Sequence, residues 1–283
     1  MAPTVLEILQ ESEARLNGVD SPRLSTEVLV AEVLGCSRLS LVLDRDRLLS
    51  AAELTRIEEL ISRREKGEPI AYVLGSKEFY GLDFKVTPDT LIPRPETEHI
   101  IEKAEEWYRK DVPISFADLG TGSGIIAVTL AHLFPKWTGV AVDLSVGALQ
   151  TAKENATTHG VGGQLTFLEG DFTQPLFDDA SLDLIVSNPP YVPLQEYNDA
   201  SHEVTSFEPE TALVSGEDGL NHIRLMLPLV SKALAKGGRF MMEIGYQQAR
   251  AIEAMVPDLA PDFVGFEVVK DLAKHDRIVC LTK

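Results

Sequence analysis

The stretch Ser187-Asn188-Pro189-Pro190-Tyr191 follows the hydrophobic run Leu182–Val186, which reads as a buried strand. Asn188 carries a side-chain carbonyl that can accept one N–H, and Pro189 carries a backbone carbonyl that can accept another. Prolines fix φ and remove N–H donors that would compete for the same acceptors. Tyr191 offers a flat face for a planar amide or base. Two such acceptors would hold an NH2 group, favour a more pyramidal nitrogen, and stabilise the positive charge that develops when it is alkylated. Asn188 and Pro189 are therefore candidate catalytic groups. Asn188, Pro189, Pro190 and Tyr191 together are the candidate acceptor site.

Three earlier loops supply what such a reaction needs opposite the acceptor. After a first strand, "DLGTGSG" places Gly120, Thr121, Gly122, Ser123 and Gly124 in a tight turn that lets backbone approach a ligand closely. After a second strand, about 20 residues on, Asp143 can accept hydrogen bonds from both hydroxyls of a ribose, or simply cap the next helix. After a third, "EGDF" offers Asp171 to an adenine amino group and Phe172 to its ring. Glycine turn, ribose acid and adenine clamp in that order suit an adenosine-containing cofactor. The spacing GxGxG is not the GxGxxG of dinucleotide folds, where a pyrophosphate meets a helix N-terminus. S-adenosyl-L-methionine is thus favoured over NAD, with Asn188 near it and S-adenosyl-L-homocysteine as product. Methyl transfer to nitrogen is an in-line displacement that needs the acceptor about 3 Å from the methyl carbon. No metal and no covalent enzyme intermediate are required. The motif itself leaves the acceptor open, between amino groups of DNA or RNA bases and glutamine side-chain amides.

These loops need a scaffold that brings strand ends to one edge. From residue 114 the pattern alternates strand and helix, with seven strands from "ISFADL" to "DRIVCLT". That alternation predicts an α/β fold with a doubly wound, mainly parallel sheet. The first 75 residues predict a small bundle of four or five helices, one starting at Ser21-Pro22 and ending at Gly35, another opening with a capping box at Ser50 and Glu53. "KEFYGLDFKVTP" predicts a hairpin around Gly81. The expected division is 1–75 helical bundle, 76–95 hairpin linker and 96–283 catalytic domain.

Composition narrows the class. With 44% hydrophobic and 25% charged residues among 283, the chain reads as an ordinary globular protein. No apolar run approaches the roughly 20 residues that span a bilayer, and the N-terminus lacks the pattern of a secretory signal. Two cysteines, Cys36 and Cys280, form no metal-binding or disulfide pattern, and the six histidines show no HxxxH or HExxH spacing. The expected location is the reducing cytoplasm. Net charge is −18, and both the N-terminal and C-terminal parts are negative. A protein that binds through phosphate neutralisation would be basic, so neither a nucleic-acid substrate nor a membrane is expected.

"PIAYVLGSKEFYGLDFKVTPDTLIPRPETE", "DLGTGSGIIAVTLA", "VSNPPYV", "FEPETALVSGEDGL" and "EIGYQQ" resemble the blocks of the protein-(glutamine-N5) methyltransferase (PrmC/HemK) family, which modifies peptide chain release factors. The resemblance implies a class I S-adenosylmethionine-dependent methyltransferase domain behind an N-terminal substrate-docking bundle. It implies methylation of the glutamine in the Gly-Gly-Gln motif of a class 1 release factor, with Gly120–Gly124, Asp143 and Phe172 on the cofactor and Asn188–Tyr191 on the glutamine. Phe172 stands where members often carry Trp, which keeps the aromatic face. Arg94 and Glu96 of "IPRPETE" receive no role from spacing. Competing readings are glutamine methylation of another protein, such as a ribosomal protein, amino-group methylation of nucleic-acid bases, and a non-catalytic adenosine-binding module.

Overall fold

The computed structural model describes residues 2–283, which form two compact units. The first contains the residues up to Ser76 together with His202–Phe207. It is built from α1 (Val5–Arg15), α2 (Pro22–Leu34), α3 (Arg38–Leu43), α4 (Ala51–Glu65) and α5 (Ile70–Leu74). Ser50 and Glu53 close the expected capping box on α4, and Thr4 with Glu7 closes a second on α1. Each satisfies orphan N–H groups of a first turn, a contribution of about 1 kcal/mol. Ser21 differs: at φ 50° its side chain makes no cap, and α2 starts on the ring of Pro22 instead. Val5, Leu29, Val30, Leu41, Leu60 and Ile61 are buried in the bundle core.

The second unit contains Lys77–Ser201 and Glu208–Lys283. Near its start lies the hairpin of β1 (Ser76–Phe79), whose first residue falls in the first unit, and β2 (Leu82–Lys85), turned at Tyr80 and Gly81, both at positive φ. A 3-10 turn, Pro95–Thr97, leads into α6 (Glu98–Trp107). Then follow β3 (Ser115–Leu119), α7 (Ile125–Leu133), β4 (Thr138–Asp143), α8 (Val146–Thr158), β5 (Leu165–Glu169), β6 (Leu182–Ser187) and α9 (Leu194–Asn198). After α10 (His202–Phe207), which packs with the first unit, come α11 (Asn221–Ala233), β7 (Leu234–Glu243), α12 (Ala249–Leu259), β8 (Gly265–Lys270) and β9 (Asp276–Thr282).

The seven strands from β3 onward form one sheet in the order β5-β4-β3-β6-β7-β9-β8, antiparallel only where β9 pairs with β7 and β8. Side chains alternate between its faces. Phe116, Leu184, Val186, Met241 and Cys280 bury on one face with α6 and α7. Ala117, Ile185, Phe240, Met242 and Leu281 bury on the other with α11 and α12. Helices on both faces make the sheet doubly wound. Strand order reverses at β3, which pairs with β4 on one side and β6 on the other. The carboxyl edge there is where such folds bind ligands. Both cysteines are free thiols.

Candidate active site

A cleft of about 710 Å³ opens at that edge. Its walls include Gly120 to Ser123, Asp143, Asp171, Phe172, Asn188 and Pro190. Gly124 lies off the wall and opens α7 against Ala152. Pro189 and Tyr191 are also outside the wall. Leu144, Ser145, His222, Ile125, Ile126, Val214 and two further segments, Pro88–Arg94 and Pro209–Ala212, complete it. Sequence reasoning found the strand-end residues but not these walls, because nothing local marks a loop that returns from another part of the chain.

The glycine turn is held from within. The N–H groups of Gly120 and Thr121 both donate to Val142 O, at 2.9 and 2.8 Å, and Gly124 N donates to Thr121 O at 2.8 Å. Asp118, fully buried at the end of β3, accepts from Thr121 Oγ1 at 2.6 Å and from Ala127 N at 3.1 Å. Burial pushes its carboxyl up to about 7, against the pull of those two donors and with a small push from Asp143. Gly120 sits at φ +72°, and a Cβ there would meet Phe172 at 3.5 Å. That contact is ordinary, so the strain on a side chain would come from the left-handed backbone.

Asp143 accepts from Gly122 N at 2.8 Å through Oδ2 and from Ser145 N at 2.9 Å through Oδ1. Burial raises its pKa and the backbone N–H groups oppose the rise. Each oxygen keeps a second lone pair for a ligand hydroxyl. Asp171 accepts from Thr173 N and Oγ1 at 2.8 and 2.6 Å, which holds its carboxyl below the usual range. Phe172 packs 5.8 Å from the ring of His222, which is itself anchored to Ser215 Oγ at 2.8 Å. Burial lowers the His222 pKa, so this wall is neutral at physiological pH.

The donor set tests which cofactor fits. The N–H groups of Gly120, Thr121, Gly122 and Gly124 are all spent inside the protein, so these four are not available to an anion such as a pyrophosphate. An acid that only accepts, beside an aromatic wall, fits the ribose and adenine of S-adenosylmethionine. Among the described residues no group of His, Cys, Asp and Glu is arranged to hold a metal.

Asn188 stands where β6 ends. Ser187 Oγ donates to Leu119 O at 2.7 Å, which ties the ends of β6 and β3 together. Asn188 Nδ2 donates to Thr97 Oγ1 at 3.1 Å. Thr97 Oγ1 donates to Glu243 Oε2 at 2.5 Å, and Tyr191 OH donates to Glu243 Oε1 at 2.8 Å. Burial pushes Glu243 up while Thr97 and Tyr191 pull it back. The Tyr191 carbonyl accepts from Gln248 Nε2 at 2.9 Å. It also runs so close to Gly219 that a Cβ there would fall 2.1 Å away. The blocks "GEDGL" and "EIGYQQ" thus clamp the tetrapeptide from behind. Arg94 and Glu96, which spacing left without a role, make ion pairs with Glu208 at 2.6 Å and Arg277 at 3.9 Å.

Two family models match the chain: the PrmC N-terminal domain over residues 7–75 and a methyltransferase domain over residues 116–207. The release factor glutamine methyltransferase of Nitratidesulfovibrio vulgaris is 43% identical over 98% of this chain and 94% of its own length. That of Koribacter versatilis is 43% identical over 92% of this chain and 90% of its own. A solved methyltransferase from Pyrococcus furiosus superposes with a TM-score of 0.53 at 16% identity, covering 80% of this chain and 97% of that one, and shares the fold. Identity at this level, over nearly the whole length of both sequences, places the chain in the release factor glutamine methyltransferase family.

Proposed function

We propose that the protein methylates the side-chain amide nitrogen, N5, of the glutamine in the Gly-Gly-Gln motif of a class 1 peptide chain release factor. The observation that carries this reading is the orientation of Asn188: its NH2 is given to Thr97, so its carbonyl oxygen is the end left for a substrate amide. The relatives' name supplies the substrate class.

S-adenosylmethionine, when bound, supplies a methyl group carried on a sulfonium sulfur. Asp143 would accept from the ribose hydroxyls, and Asp171 and Phe172 would meet the adenine. Asn188 Oδ1 and the Pro189 carbonyl would accept the two amide N–H bonds and stabilise the charge that develops on nitrogen. The amide nitrogen forms the new N–C bond, the electron pair of the broken C–S bond stays on sulfur, and the extra proton leaves to water. Pro190, which lines the cleft, and Tyr191, which is turned to Glu243, would shape and anchor the acceptor side. The helical bundle would dock the release factor away from its tip, in the cytoplasm. Among the described residues no helix is long and apolar enough to cross a membrane.

The test uses labelled S-adenosylmethionine with a release factor, the same factor with its tip Gln→Ala, and RNA in separate reactions. Label is expected on the unaltered factor alone. Label on RNA or on the tip variant overturns the reading.

A further inference from the structure

Glu243 lies 1% exposed at the end of β7, outside the cleft wall, with both carboxylate oxygens engaged by hydroxyl groups. A carboxylate only accepts, so both hydroxyls must spend their single proton on it. Thr97 then has lone pairs alone to offer Asn188. Had Asn188 turned its carbonyl oxygen to Thr97, two acceptors would face one another beside the buried Thr97 side chain. The amide must instead present Nδ2, as it does at 3.1 Å. Its Oδ1 is thereby directed away from Thr97.

We infer that Glu243 is a positioning residue for methyl transfer: acting through Thr97, it fixes which end of the Asn188 amide faces the acceptor, and through Tyr191 it anchors the far end of the same tetrapeptide. The inference rests on the role proposed for Asn188. Glu243 touches neither acceptor nor cofactor. Its contribution is a direction of hydrogen bonding passed across three side chains. Two adjacent links of that chain, Thr97 and Glu243, are 146 residues apart in sequence.

The Glu243→Gln side chain keeps shape and burial but changes polarity. Its amide accepts at one end and donates at the other, so Thr97 can be turned to donate toward Asn188 Oδ1, which withdraws the acceptor from the cleft. The experiment measures kcat, the KM for release factor and the cofactor Kd for wild type, Glu243→Gln, Asn188→Ala and the double variant. Thr97→Val and Thr97→Ser form a second pair that removes or keeps the hydroxyl.

The expected result is a fall in kcat of about 10-fold or more in Glu243→Gln, with cofactor Kd within about twofold of wild type. Thr97→Val should show the same fall, and Thr97→Ser should restore most of the rate. The effect of Glu243→Gln should vanish in the Asn188→Ala background, since one acts through the other. An active wild type with undiminished kcat in Glu243→Gln and Thr97→Val overturns the inference alone. So does a Glu243→Gln effect that adds fully to Asn188→Ala, because a merely structural role is additive. A wild type that binds S-adenosylmethionine but leaves the release factor unlabelled overturns the proposed function, and this inference with it. If Glu243→Gln fails to fold, the Thr97 pair decides.

Discussion

Arg94 Nη2 donates to Glu208 Oε1 at 2.6 Å, and the other oxygen of the same carboxylate accepts from Ile92 N at 3.2 Å. Two walls of the cleft are clipped together by one side chain. The Glu208 side chain is 3% exposed and that of Arg94 is 32% exposed. Removing either partner should therefore have unequal effects. Arg94→Ala strands a buried carboxylate and should destabilise by about 1–3 kcal/mol, discounted for the partial exposure of the guanidinium. Glu208→Gln leaves Arg94 in reach of water and keeps an acceptor for Ile92, so it should cost less. Urea unfolding of both variants checks the order; equal or reversed effects would contradict the clip.

Asn188→Ala removes an acceptor aimed at the charge that develops during transfer. Turnover should fall by about 100-fold or more. Cofactor affinity should change far less, because Asp143 and the glycine turn remain. Near-wild-type turnover in a steady-state assay would remove Asn188 from the chemistry.

Asp143→Ala should act in the opposite way. It removes the expected ribose acceptor and also the carboxylate that holds Gly122 N. Cofactor Kd should rise by about 10-fold or more, given the roughly 1.5–3 kcal/mol of a hydrogen bond to a charged group. Calorimetric titration measures this directly, and an unchanged Kd refutes the assignment.

Stability should depend on pH through three buried carboxyls of the second unit. Asp118 is raised to about 7 by burial, and Asp143 and Glu243 are raised by burial as well. A carboxyl whose pKa is higher folded than unfolded binds more protons when folded, so its contribution is present in acid and lost as pH rises. For Asp118 that loss runs from about 4 to about 7. Surface carboxylates held by cations shift the other way: Asp218, beside Arg224, is lowered to about 2 and loses its contribution only in strong acid. The cofactor-free protein should therefore unfold at higher urea concentration at pH 6 than at pH 8. Asp118→Asn should flatten that difference. A flat wild-type profile over this range would rule out the buried-acid account.

Much of this site was legible before any coordinates. All seven strands of the large sheet, the hairpin at Gly81 and the ends of β3, β4, β5 and β6 are visible because they depend on local periodicity and turn residues. Thr97 and Glu243 were not. Each looks like an ordinary helix-start or strand-end residue until the fold places Pro95–Thr97 beside the end of β7. Arg94 and Glu208 are hidden for the same reason, since ion pairing across 114 residues leaves no local pattern. Ser21 shows the converse: a residue with good capping chemistry stays uncapped because its backbone is left-handed there.

The segment from Val192 to Gly216 is closed at its base by Val192 N to Leu213 O at 2.8 Å and Leu194 N to Gly216 O at 2.9 Å. Its middle, α10, belongs with the bundle, where Arg64 Nη2 donates to Glu203 Oε1 at 2.5 Å. Arg64 is 2% exposed and also donates to Asp20 O, Glu68 O and Ser25 Oγ. The bundle is therefore no detachable cassette. Swapping in a foreign bundle at residue 76 would leave a buried arginine's partner behind in the recipient. A hybrid enzyme would need the six residues of α10 transplanted with it. Change in the bundle should then be paired, with residues near Arg64 and those of α10 altering together.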